Sequence, residues 1–155
     1  MDIDNLDFQT INLGHGSGGE LTRKLLDKLI FSVFSNPYLN EKHDGAIVKI
    51  EGRVAISTDS FVITPIFFKG GNIGSLAVHG TVNDVAMCGA IPKYLSLAFI
   101  IEEGLDVVDF YQIVKSIKLD PSKSETSESI DLSGKANGLY IINVSTNENP
   151  AVCLF

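Results

Sequence analysis

One stretch constrains this chain more than any other. Residues 57–92, STDSFVITPIFFKGGNIGSLAVHGTVNDVAMCGAIP, must accommodate a strand end, a glycine loop and a small-residue helix in immediate succession. The apolar run Val54-Ala55-Ile56 delivers Ser57, Thr58 and Asp59 to the point where a buried strand would surface. Gly70, Gly71 and Gly74 let the backbone turn tightly and approach a ligand closely, because no Cβ intervenes. From Gly74 to Met87, the residues Leu76, Ala77, Gly80, Ala86 and Met87 fall at helical spacings, which predicts a closely packed helix carrying Asn83 and Asp84. Taken singly, these residues read as turn glycines and a polar helix face. Asp59, Asn83 and Asp84 within one unit point to a site.

The rest of the chain is organised around that unit. Residues 1–13 read as an extended, mobile arm that orders only when something docks on it. In Gly14-His15-Gly16-Ser17-Gly18-Gly19-Glu20, Ser17 and Glu20 have the spacing of a capping box. That box predicts a helix start. Leu21, Leu25, Leu26, Leu29, Ile30, Val33 and Phe34 then recur at helical period and stop before Asn36-Pro37. Glycines ahead of a helix leave free N–H groups that can seat a phosphate, and they serve equally as a plain flexible lead-in. No Gly-Lys-[Ser/Thr] follows, so a P-loop is excluded.

Gly45–Ile50 and Arg53–Ser57 have the look of a hairpin around Glu51-Gly52. Antiparallel pairing there would bring Asp44 and Asp59 to the same end of the sheet. His43, beside Asp44, reads as a metal ligand or, more commonly, a locally solvated side chain. Tyr94–Ile101 is a β-rich run suited to a core strand, and Asp106 can cap a helix whose Phe110, Ile113, Val114 and Ile117 share a face. Residues 120–132 are polar and serine-rich and read as a linker or loop; Gly138–Val144 reads as one more strand. The expected fold class is α+β, a mixed or antiparallel sheet with helices on one face, over a domain at 14–119 and a last strand and shortened tail at 133–155. The uncovered sheet face would need a partner.

Composition removes several classes of function. A formal charge of −7 and a pI near 4.8 offer no field for phosphate backbones, so no nucleic-acid partner is expected. The acidic start MDIDNLDFQT is no signal peptide, and no apolar run approaches the ~20 residues of a membrane span. A cytoplasmic protein is expected. Cys88 and Cys153 are far apart and lack zinc-ligand spacing; Cys88, among Ala86, Met87 and Ala90, reads as a small buried hydrophobe. The chemistry that remains is that of oxygen ligands. Asp44, Asp59 and Asp84, with Asn83 beside the last, suit Mg²⁺ held against a nucleotide's phosphates. The glycine loops at 14–19 and 70–74 would add backbone donors. With no Ser-His-Asp order, no H-E-x-x-H and no strong nucleophile, positioning and charge neutralisation would carry any phosphoryl transfer.

The segments GHGSGGELTRKLL, STDSFVITPIFFKGGNIGSLAVHGTVNDVAMCGAIPKYLSLAFIIEEGL and GKANGLYIIN resemble the amino-terminal half of the HypE family of hydrogenase expression/formation proteins. These belong to the superfamily of aminoimidazole ribonucleotide synthetase, selenophosphate synthetase and thiamine-monophosphate kinase. The resemblance implies ATP-dependent dehydration of a thiocarboxamide on a carboxy-terminal cysteine to a thiocyanate, the source of the cyanide ligand in [NiFe]-hydrogenase maturation. It also implies a homodimer whose amino-terminal sheets close into a shared barrel, with a carbamoyltransferase and iron-centre scaffold proteins as partners. On this chain it would make Asp44, Asp59 and Asp84 the Mg·ATP residues, Asp84 and Asn83 the catalytic pair, and Gly16, Ser17, Gly18 and Gly19 a cover over the nucleotide. Two departures accompany it. The family's Gly-Asp-Thr-Lys-Val segment is expected near residues 124–130, where this chain has SETSESI, and the family's carboxy-terminal domain is expected to be missing. The resemblance therefore implies a shortened form that does not turn over alone. A non-catalytic dimerisation module and a thiamine-monophosphate kinase relative are the alternatives.

Overall fold

The computed structural model describes residues 6–118 and the strand at 151–154. Its centre is a contact between two apolar helix faces. The first belongs to a helical run made of α1 (Glu20–Leu25), a π turn (Leu26–Ile30) and α2 (Phe31–Phe34), followed after Asn36 by the short α3 (Pro37–Asn40). The apolar period predicted for 21–34 is realised: Leu25, Leu29, Ile30, Val33 and Phe34 are buried, and Leu21 alone of the outer positions is exposed. One wide turn in the middle rotates the face, a feature that periodicity cannot show because π turns add a residue without changing its apolar character.

The second face belongs to α5 (Val107–Ile117), with α4 (Ile73–Met87) packed beside it. Asp106 caps α5 as expected, accepting from the Val108 amide at 2.7 Å, and Phe110, Ile113, Val114 and Ile117 are all buried. Asn72 caps α4, its Oδ1 accepting from the amides of Gly74 and Ser75. A Cβ on Gly74 would stand 2.6 Å from the Ile113 carbonyl, so this glycine sets the approach of α4 to α5.

Four short strands complete the frame. β1 (Phe67–Phe68) and β2 (Gly71–Asn72) pair antiparallel around the glycine turn, whereas β3 (Tyr94–Leu97) pairs in parallel with β4 (Ala151–Leu154). The expected sheet with helices on one face is thus reduced among the described residues to two separate two-stranded pieces. The inward alternation predicted for 94–101 holds nonetheless: Leu95, Leu97, Phe99 and Ile101 pack against the helices, and Phe99 meets the Phe110 ring edge-on at 5.1 Å.

Three expectations need correction. Residues 6–13 are not a free arm: Ile11 is 4% exposed, and its amide and carbonyl bond to Leu105 and Gly104, with the Val107 amide donating to Gln9. The partner that orders this segment is the chain's own loop before α5. The Ser17/Glu20 capping box is absent, for Gly19 is the N-cap of α1 and gives no side-chain cap. The 45–57 hairpin carries no strand pairing, and Ile47, Ile50, Val54 and Ile56 are exposed. An isolated hairpin is marginal in water without an apolar surface to pack on, and these side chains find none among the described residues. The predicted linker at 120–132 and strand at 138–144 lie outside the described residues.

The glycines give a contrast that tests the packing. Gly74→Ala should destabilise the chain by about 1–3 kcal/mol, since its Cβ meets backbone. Gly16→Ala, with nothing within 4 Å of its Cβ, should stay within about 0.5 kcal/mol of the parent by denaturant titration.

Candidate functional site

The glycine-rich turn ahead of α1 is built from its own side chains. A 3-10 turn spans Leu13–Gly16, and Asn12 caps it reciprocally: its Oδ1 accepts from the Gly14 amide at 3.0 Å, while its own amide donates to His15 Nδ1 at 3.1 Å. His15 is buried, with its ring 4.4 Å from that of Phe8. Further on, the Ser17 hydroxyl donates to the Gly14 carbonyl and the Gly18 amide to Thr22 Oγ1 at 2.9 Å. Gly18 takes φ +79°, a left-handed geometry that disfavours any side chain. Part of the donor set that sequence assigns to a phosphate is therefore already engaged by Thr22.

This turn forms one wall of a cavity of about 630 Å³, opposite Leu25, Leu26, Phe99 and Phe110. Its interior is mostly apolar, while exposed Gly16, Lys42, His43 and Asp44 stand at the rim. The rim is fastened to the helix. Lys42, in a left-handed conformation, donates from Nζ to Asp27 at 2.7 Å and lies over the Phe31 ring, and Arg23 reaches the same carboxylate at 3.2 Å. Hydrogen bonding from Lys42, more than the nearby Arg23 charge, holds the Asp27 carboxyl below its ordinary range.

The second group of predicted residues lies along α4. Asp84 and Asn83 are exposed on it, and Ser57 donates to Asp84 Oδ2 at 3.1 Å. The Phe61 ring occupies the space that a Cβ on Gly80 would fill, so the missing side chain lets segment 57–61 lie against the helix. Asp59 accepts from the Ser60 amide. With only one residue between Ser57 and Asp59, their Cα atoms are at most about 7 Å apart, so Asp59 and Asp84 share one neighbourhood.

Asp44 does not join them. Among the described residues no group of three His, Cys, Asp or Glu side chains could hold a metal ion. Among the described residues the expected three-aspartate cluster is thus not assembled, and the hairpin expected to carry Asp44 and Asp59 to one end shows no strand pairing there. The glycine turn at 70–74 is likewise no phosphate cradle: Asn72 takes the Gly74 and Ser75 amides, and the Ile73 amide donates to Ile66. Cys88 proves exposed at the end of α4, where no core covers it. The residue that the pattern concealed is His15. Its signal was Asn12-x-x-His15, a capping-box spacing with histidine in the glutamate's place.

Residues 42–126 match the family model described as AIR synthase related protein, N-terminal domain. The chain is 50% identical over 116 residues to the carbamoyl dehydratase HypE of Escherichia coli (strain K12), a match covering 71% of this chain and 34% of that protein. It is 36% identical over 154 residues to the HypE of Cupriavidus necator, covering 95% and 44% respectively. A crystal structure of the hydrogenase maturation protein HypE in complex with ATP superposes with a TM-score of 0.66 at 50% identity, over 68% of this chain and 31% of that one. The chain therefore spans between a third and a half of the curated relatives' length.

The rim tether should show in acid. A carboxylate held below its ordinary value stabilises the fold above that value and loses the contribution as pH falls through its folded-state value. Stability of the parent should decline as pH drops below about 4, and Asp27→Asn should flatten that decline while lowering the melting temperature at pH 7.

Proposed function

The chain belongs to the family of AIR synthase related proteins, and from that premise we propose that it is the nucleotide-binding part of a hydrogenase-maturation carbamoyl dehydratase of the HypE kind. Its ligand on this reading is Mg·ATP. The observation that carries the proposal is the pairing of the turn at 13–16 with Asp44 around one cavity, in a fold that superposes on a HypE crystallised with ATP. Gly16, Ser17, Gly18 and Gly19 cover the nucleotide, and Asp44 lies beside them at the rim.

Magnesium needs less than the three-aspartate cage expected from sequence. Mg²⁺ keeps several waters and is usually held by one or two carboxylates together with the substrate's phosphates. Asp84, which accepts from Ser57, and Asp59, two residues beyond Ser57 in the chain, fit that donor set, and Asn83 would help to orient the same shell. Bound there, the ion would neutralise phosphate charge. The protein's own part is to fix Asp84 through the Ser57 hydroxyl and to keep segment 57–61 on α4.

The activity proposed for the complete protein is dehydration of a thiocarboxamide to a thiocyanate at the expense of ATP, in the cytoplasm, with a carbamoyltransferase and an iron-centre scaffold as partners. We assign this chain the binding half of that work. A homodimer is part of the same reading. Along 47–62 and at Ile100 the outward side is apolar, with Ile47, Ile56, Val62 and Ile100 each at least 86% exposed. A second copy contributing the same extended segments would cover them and complete the pairing that residues 45–57 lack here. That no three-carboxylate cluster forms among the described residues also favours a second reading, a dimerisation module without catalysis.

Calorimetric titration with Mg·ATP decides between these readings. The parent should bind, and Asp84→Asn should weaken binding about tenfold or more, equivalent to about 1.4 kcal/mol. No heat at millimolar Mg·ATP would leave the dimerisation module standing.

A further inference from the structure

His15 fills a place in the turn at Leu13–Gly16 that a glutamate or glutamine usually takes. In a capping box the third residue reaches back to accept the amide of the cap. Here the imidazole does so: Nδ1 accepts the Asn12 N–H at 3.1 Å, while Asn12 Oδ1 accepts the Gly14 amide in return. Accepting fixes the tautomer, since Nδ1 must present its lone pair and the proton of the neutral ring then resides on Nε2. That nitrogen is buried with no hydrogen-bond partner among the described residues, and the ring lies against Phe8 with the residue 3% exposed.

Unlike glutamine, imidazole changes charge between about pH 5 and pH 8. A second proton would go to Nδ1 and set a donor against the Asn12 donor. It would also leave a buried cation without a partner, which is costly. The charged groups on the surrounding elements are Asp7 beside Phe8, Glu20, Arg23 and Lys24 on α1, and Lys42, His43, Asp44 and Glu103 at the cavity, and none of them hydrogen-bonds to the ring. We propose that His15 is a positioning residue that makes the glycine turn acid-sensitive: neutral, it locks residues 12–16 through the Asn12 amide, and protonated, it releases them. The released turn binds one proton more than the locked one, so locking weakens as pH falls. Ser17 and Gly18 are held by hydroxyl and amide bonds to Gly14 and Thr22 that do not titrate in this range, so the effect centres on 12–16. The switch stands on the turn's own bonds. Only its bearing on ligand affinity rests on the nucleotide reading above, in which this turn covers the ligand.

The test uses the whole chain and needs no ligand. Nitrogen-edited NMR at about pH 8 should place the His15 ring proton on Nε2. Between about pH 8 and about pH 5 the protection factors of the Asn12 and Gly14 amides should fall about tenfold, the scale of one hydrogen bond, in step with protonation of the His15 ring. His15→Gln, which supplies an acceptor without titrating, should keep the parent's high-pH protection throughout. His15→Phe, which keeps a ring beside Phe8 but has no acceptor, should show the acid level of protection throughout. Parental protection that does not change with pH, a glutamine variant as acid-sensitive as the parent, or a ring proton on Nδ1 at the higher pH would each overturn the assignment. Should either variant fail to fold, the parent's tautomer and the pH course of its Asn12 amide decide the matter alone. Failure of the parent to bind ATP would overturn the nucleotide reading and leave this switch in place.

Discussion

The described structure hangs on the buried face of α5. Phe110, Ile113, Val114 and Ile117 are each 6% exposed or less, and burying side chains of this size contributes about 1.5–3 kcal/mol apiece as an upper estimate. Through Gly74 and the Ser116 hydroxyl, 2.6 Å from Asn72 Oδ1, α5 fixes the start of α4. Through the backbone bonds of Val107, Leu105 and Gly104 it holds residues 9–11, and so the glycine turn that follows them. Through Phe110 it sets Phe99 at the back of the cavity.

The consequence is a rigid back wall and a lightly held rim. The glycine turn is stabilised locally, by Asn12, His15, Ser17 and Thr22, while Lys42 at the rim is tied to Asp27 by an exposed ion pair. Exposed pairs contribute little. The pairing of Ser57 with Asp84 supplies a second anchor at α4, reached by a chain segment that only small residues admit.

Much of this was legible beforehand, for physical reasons that differ by element. α5 carries a clean apolar period and an aspartate cap, and α4 carries small residues that only close packing rewards; both appear where expected. The run 94–101 kept its alternation even though its ladder is short. What failed were inferences about who satisfies whom. Ser17 and Glu20 have capping spacing, yet the box is made five residues earlier by Asn12 and His15, at the start of the 3-10 turn, and Gly19 begins α1. The hairpin at 45–57 has strand composition, but its apolar residues lack a surface among the described residues, and with it goes the expected convergence of Asp44 upon Asp59. Cys88 looked like a core residue from its neighbours, and a helix end exposed it.

The central claim is that the glycine turn and residues 42–44 enclose a nucleotide, with Asp84 and its Ser57 partner at the metal. Hydrogen exchange read by mass spectrometry, with and without Mg·ATP, tests it most directly. The account predicts slowed exchange at 13–19, 42–44 and 57–60, with the α5 core unchanged. Protection confined to other segments, or none at saturating nucleotide, would contradict it.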